Sequence, residues 1–231
     1  MSTTIAGIHI PDSRLARAAT DLVRDTENDL LFNHSRRVFL WGALTGARRN
    51  LAYDPELLYI GAMFHDMGLT PGYSSKTDRF EVDGANAARD FLKRHGVNEY
   101  DIEQVWLSIA LHTTPGVPEH LKPVVSLVTA GVEMDVLGMR YHEFDDAQRV
   151  SVVAAHPREQ DFKNLIIDAF AQGTISKPET TFGNVKADVL EMKDPNYKRL
   201  NFCKIILGSA WDDSKAGHVH HAGCSHGAAA E

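Results

Sequence analysis

The sequence predicts an all-α protein folded as one helical bundle. Three observations carry that prediction. Apolar residues recur with a helical period through almost the whole chain, no run alternates as a strand does, and cap signals punctuate the periodic segments. The 231 residues suit one domain with extensions and show neither an internal repeat nor a linker. A chain of that length hides roughly 70% or more of its unfolded surface, enough for a substantial core.

The elements follow in order. A first helix starts after Pro11-Asp12-Ser13, with Leu15, Ala18, Ala19 and Leu22 on one face. A second covers residues 33–48 and carries His34 at its start. Asp54-Pro55-Glu56 is a start signal, an N-cap followed by proline at the first helical position. The third helix then runs through Leu57-Leu58-Tyr59-Ile60-Gly61-Ala62-Met63-Phe64 to end near Asp66-Met67-Gly68. Residues 70–78 are rich in turn formers and read as an exposed loop at the mouth of a site. A fourth helix covers 82–95 and stops at Gly96. Asn98 caps a fifth, which buries Ile102, Val105, Trp106, Ile109 and Ala110 and has His112 near its end. A sixth spans 122–137 and carries Asp135. Further helices are expected at 147–155, 159–172 and 197–211, with a loop at 174–185.

Composition narrows the function. A net charge of −7 disfavours a nucleic-acid surface. Two cysteines, Cys203 and Cys224, make no disulfide framework. No stretch approaches the ~20 apolar residues of a membrane span. The first residues lack a basic stretch followed by a long apolar one, so a cytoplasmic protein without membrane partner is expected. A homo-oligomer is left open. The segment 217–226 holds four histidines and Cys224; such residues can hold a metal, but without a scaffold they read as a flexible, solvated tail.

The pair His65-Asp66 stands out, because an imidazole beside a carboxylate in an apolar helix is costly to desolvate unless a cation shares the charge. A metal ion is such a cation. His34, the pair His65-Asp66 and Asp135 lie in order on three separate helices, and two imidazoles with two carboxylates suit a divalent first-row ion. Zn2+ is expected, with Fe2+ or Mn2+ as alternatives. Taken singly, each has a plainer reading: His34 as a cap or surface residue, Asp66 as a helix-end carboxylate. A carboxylate facing the negative end of a helix dipole nevertheless calls for compensation.

His34, His65-Asp66 and Asp135 resemble the H…HD…D pattern of the HD superfamily of metal-dependent phosphohydrolases, over roughly residues 30–140. The surrounding Asn33-His34-Ser35-Arg36-Arg37-Val38-Phe39 and Ala62-Met63-Phe64-His65-Asp66-Met67-Gly68-Leu69 share the likeness. Asp78-Arg79-Phe80-Glu81-Val82-Asp83-Gly84-Ala85 and Ala110-Leu111-His112-Thr113 are similar to HD-type cyanamide hydratases. The resemblance implies a metal site between helices. It divides the chain into an extension with the first helix (1–28), a metal-binding core (29–140), helices completing the bundle (141–213) and the tail (214–231). It also implies hydration of a small nitrile, cyanamide to urea, by metal-bound hydroxide attacking the nitrile carbon. Asp66 would shuttle the proton and His112 would face the substrate nitrogen.

The chain departs from the phosphohydrolase pattern at Leu69, where many members carry glutamate and the cyclic-dinucleotide type carries lysine. A nucleotide or other phosphate-ester hydrolase is the alternative, with Arg36, Arg37 and Lys76 as its available cations. An oxygen-using two-iron enzyme, with His112 as an extra ligand, and a non-catalytic regulator are the remaining classes. Glu81 and Asp83 are ordinary first-turn acids or site groups, and His95 and His120 lie in polar contexts.

Overall fold

A computed structural model describes residues 3–181 and 185–213. Among these it contains ten α-helices: α1 Arg14–Thr26, α2 Asp29–Arg48, α3 Pro55–Phe64, α4 Phe80–Arg94, α5 Glu99–Ala110, α6 Pro123–Val132, α7 Asp146–Ala155, α8 Phe162–Thr174, α9 Val185–Lys193 and α10 Phe202–Leu207. The one departure from all-α among the described residues is a hairpin of β1 (Thr4–Ile5) and β2 (Ile8–His9), two residues each. Its turn, Ala6-Gly7, has both φ angles positive, the geometry that matches strand twist in a two-residue loop.

The helix starts follow the capping chemistry read from the sequence. Ser13, Asp54 and Asn98 each accept hydrogen bonds from backbone N–H groups of the turn they precede. Helix α2 begins earlier than expected, because Asn28 caps it through Leu31 N. His34 therefore lies in the second turn of α2, inside the bundle. In α1 the fully buried positions are Ala16, Ala19 and Val23, a face rotated from the one expected. The sequence reading also passes over α9: Val189, Leu190 and Met192 are exposed while Ala187 is buried, so no single apolar stripe marks it. Helix α10 is shorter than expected and starts after its cap Asn201.

Helix α2 is the central rod. It packs most extensively on α6 and then on α3, while α4 packs on α5. Backbones approach closely at the α2–α6 crossing. A Cβ on Gly131 would meet Val38 O at 2.2 Å, and one on Gly42 would meet Leu127 O at 2.7 Å. Side chains larger than hydrogen would push the two helices apart there. Fifteen residues of α2 are buried, among them Trp41, Phe39 and the guanidinium of Arg37. This rod holds His34 at a fixed depth against the end of α6.

Candidate metal centre

Two of the histidines are placed by one local device. His65 caps the C-terminus of α3 and His112 follows the cap of α5, where helix carbonyls lack their usual partners. Each imidazole donates its Nδ1–H to the carbonyl three residues back, His65 to Ala62 O at 2.7 Å and His112 to Ile109 O at 2.6 Å. A carbonyl only accepts, so both rings carry the proton on Nδ1 and present Nε2 as a lone pair.

His34 reaches the same state by another route. Its Nδ1 lies 2.7 Å from Asp135 Oδ2. Asp135 is fully buried, yet Arg37, Arg158 and His34 outweigh the effect of burial and hold its carboxyl well below the usual range. Ionised, it can only accept. His34 therefore donates from Nδ1 and also turns its Nε2 lone pair inward.

The three inner atoms converge on Asp66, which lies between α3 and a short 3-10 turn, Met67–Leu69. His34 Nε2 and His65 Nε2 are 3.1 Å apart. Asp66 Oδ2 is 3.6 Å from the first and 3.3 Å from the second. His112 Nε2 is 3.8 Å from Asp66 Oδ1. Both Asp66 oxygens and His112 Nε2 are buried without a hydrogen-bond partner. Close approach fixes this turn: a Cβ on Gly68 would lie 1.9 Å from Phe80 O.

Such a set of lone pairs facing a carboxylate is unstable unless a cation sits among them. Burial lowers His65 to about 3 and His112 to about 4, and neighbouring imidazoles add to the fall, so near neutrality neither ring supplies the missing charge by taking a proton. Burial also pushes Asp66 up, against the pull of His34 and His112. The residues fit a divalent metal. His34, His65 and Asp66 offer ligand atoms all within 4.8 Å of one another. Their separations are those of donors held about 2.0–2.2 Å from one ion. Two imidazoles and a carboxylate with an open position form the donor set of catalytic zinc sites and equally of ferrous sites.

Asp135, expected as a fourth ligand, is drawn into a different set of contacts. Oδ1 accepts from Arg37 Nε and Trp41 Nε1, both at 2.9 Å, and Oδ2 accepts from Arg37 Nη2 at 2.9 Å besides His34. His34, Arg37 and Trp41 are spaced by three and four residues, so one stripe of α2 meets one carboxylate. A π-helical turn, Glu133–Leu137, continues α6 and carries Asp135 into that stripe. Arg158 adds a bond from Nη1 to Asp135 O at 2.6 Å. This carboxylate–imidazole arrangement fixes the tautomer of His34 from behind, as outer partners of metal ligands do.

Of the cations expected for an anionic substrate, none faces the donor cluster. Arg37 is bound to Asp135 and to the carbonyls of His156 and Pro157. Arg36 is bound to Tyr59 and His156, and Lys76 is exposed. Glu81 and Asp83 are buried rather than solvated. Glu81 accepts from Thr113 beside His112, and Asp83 pairs with the fully buried Lys177 at 2.7 Å. Lys177 also donates to Ser75 O at 3.2 Å, which anchors the middle of a loop that is otherwise exposed, as expected, at residues 71–72 and 76–78. Phe80 sets its ring against His112, and Phe162 lies against His34, whereas Phe64 packs into the core on Phe91. His95 and His120 are exposed. The histidine-rich segment 217–226 lies outside the described residues.

No curated protein matches the chain. The family model described as HD domain matches residues 31–163, more than half of the chain, a span that includes His34, His65, Asp66, His112 and Asp135.

Proposed function

The chain belongs to the HD domain family, whose members are generally metal-dependent hydrolases, and on that premise we propose that it hydrates a small nitrile, cyanamide to urea. The observation that carries this reading is that the site is sealed and offers only acceptors. His34, His65 and Asp66 are fully buried and His112 nearly so. A phosphate ester needs cations around its oxygens, yet Arg37 is paired with Asp135, Lys177 with Asp83 and Arg36 with Tyr59 and His156, and Arg158, though its Nη2 lacks a partner, is paired with Asp135 and Asp213. Leu69 is buried where a phosphohydrolase often has glutamate. A neutral, linear molecule of a few atoms needs no such cations.

His34, His65 and Asp66 would hold the ion, with Asp135 orienting His34. A divalent cation there supplies Lewis acidity, which lowers the pKa of water and polarises a bound substrate. Asp66 Oδ1 and His112 Nε2, 3.8 Å apart, would take the proton that water sheds as its oxygen bonds to the nitrile carbon. The N–H of His112 is spent on Ile109 O, which gives this residue an acceptor's part. Phe80 and Phe162 keep water from the flanks of the rings. Zinc is the ion proposed.

The test is to load the protein with zinc, offer cyanamide and, separately, nucleoside monophosphates, and follow urea and phosphate. Urea formation that His65→Ala abolishes is the expected result. Phosphate release without urea would overturn the reading in favour of ester hydrolysis.

A further inference from the structure

The atoms that would hold the ion are out of reach of solvent: His34, His65 and Asp66 are fully buried and His112 is 3% exposed. Metal and substrate can enter only when a covering element moves. Most of the elements around the cluster cannot move without breaching the core. Fifteen of the twenty residues of α2, eight of the ten of α3 and nine of the ten of α6 are buried, and α5 is wedged against α3, α4 and α6. Helix α8 also covers the site, yet only Phe162, Ile166 and Gly173 of its thirteen residues are buried. Local opening costs more the more apolar surface it exposes, so among the described elements α8 is the cover that lifts most cheaply.

The two ends of α8 are held differently. At its start, Asp213 accepts from Lys163 N at 3.1 Å and from Arg158 Nε at 3.2 Å, and the Arg158 guanidinium lies 4.0 Å from the centre of the Phe162 ring, which also meets His34. The far end lies over the His112 side of the cluster. Phe170 sets its ring against Phe80, and Phe80 against His112, both at 5.6 Å between centroids. Phe170 also meets the exposed Phe202, so one row of rings runs from His112 to the surface. At Gly173 the helix backbone lies against Leu69. Three residues past the helix comes the fully buried Lys177. Its Nζ is 2.7 Å from Asp83 Oδ2 and donates to Ser75 O at 3.2 Å, and Ser75 N donates to the same Asp83 oxygen at 2.9 Å. One ammonium thus ties the end of α8 to α4 and to the loop before it. Unlike apolar packing, an ion pair is readily exchanged for water, because both charges regain hydration as they part.

We propose that residues 162–177 form the lid of the metal centre, hinged at the Asp213 end and latched by Lys177 on Asp83, so that metal and substrate enter along the Phe80–Phe170 row. The proposal rests on the metal site and not on the choice of reaction.

The experiment locks the lid. Leu69→Cys and Gly173→Cys are combined in a background of Cys203→Ser and Cys224→Ser. A Cβ at position 173 lies 3.5 Å from Leu69 Cβ, within reach of a disulfide, and Leu69→Cys removes the methyl that such a Cβ would otherwise meet at 2.4 Å. Oxidised and reduced forms with equal zinc content are mixed with excess chelator and the transfer of zinc is followed. Transfer should be about tenfold or more slower in the oxidised form and recover on reduction. Lys177→Met in the otherwise native chain should transfer zinc about tenfold or more faster than wild type, and faster than that variant unfolds globally in the same buffer. In zinc-loaded wild type, which needs no substitution, amide hydrogens of residues 166–175 should exchange through a lower opening free energy than those of α2 and α3. Oxidised and reduced rates within about threefold, zinc transfer by Lys177→Met no faster than by wild type, or protection of α8 equal to that of α3 would each overturn the proposal. With cyanamide present, urea formation should stop on oxidation and return on reduction. Urea formed equally fast by both forms removes the lid and leaves the hydratase reading. Slowed zinc transfer with no urea from any form removes the hydratase reading and leaves the lid.

Discussion

Replacing Asp135 by asparagine separates an orienting carboxylate from a ligand. The two oxygens of Asp135 accept four side-chain hydrogen bonds, from His34, Trp41 and two nitrogens of Arg37. They also face Arg158 at 3.4 Å. An amide whose oxygen stays on the Oδ1 side turns its NH2 toward His34 Nδ1–H and Arg37 Nη2, so two bonds become donor-against-donor contacts. The buried guanidinium of Arg37 loses its counter-charge, and that of Arg158 keeps only Asp213. Breaking a buried pair in this way costs about 3–5 kcal/mol. At roughly 2–4 °C per kcal/mol for a chain of this size, Tm should fall by roughly 6–20 °C. It is best measured in chelated protein, so that the metal's own contribution is removed. The second consequence is chemical. Facing an amide N–H, His34 is driven to the tautomer with its proton on Nε2, which blocks the inner lone pair. Zinc affinity measured against a competing chelator should weaken about 10–100-fold, the range for lost outer partners, while His65→Ala should lose the site altogether. Wild-type Tm and affinity in Asp135→Asn would refute the reasoning. Loss of metal as complete as in His65→Ala would instead make Asp135 a ligand.

Removal of the metal should lower Tm and restoring zinc should recover it, by about 2.7 kcal/mol at a hundredfold excess over Kd; an unchanged melting curve after verified removal would rule out the coupling. Because His112 is held neutral, with its folded value near 4, the unfolded chain takes a proton there below about 6.5 that the native state refuses. In chelated protein, the stability of wild type relative to His112→Leu should therefore fall by about 1.4 kcal/mol per pH unit as pH drops from about 6.5 to about 4, read by denaturant titration. Lys177→Met leaves Asp83 buried without its partner and should cost about 3–5 kcal/mol, with faster proteolysis of residues 70–79 as the accompanying readout. Gly68→Ala must displace the backbone at Phe80 and should cost at least about 1–3 kcal/mol and reduce zinc binding; wild-type affinity would show that the turn at Asp66 yields freely.

Helical period and cap chemistry determined the fold class, most of the helices and the order in which His34, His65, Asp66 and Asp135 arrive. These are local properties: a helix start depends on the side chain beside it, as Ser13, Asp54 and Asn98 show. What faces each group was decided by packing. Arg37 reads in the sequence as one of two helix-surface cations, yet it is fully buried on Asp135 while its neighbour Arg36 turns to Tyr59. Lys177 and Asp83 lie 94 positions apart and meet inside the protein. The proton positions on three imidazoles belong to the same class of fact. Each is set by an acceptor at about 2.6–2.7 Å, a carbonyl of the same helix for His65 and His112 and a carboxylate 101 residues away for His34. Residue types and spacing identify which atoms can bind a cation. Only the tertiary arrangement decides which lone pairs converge, because a side chain's charge and protonation answer to its neighbours in space.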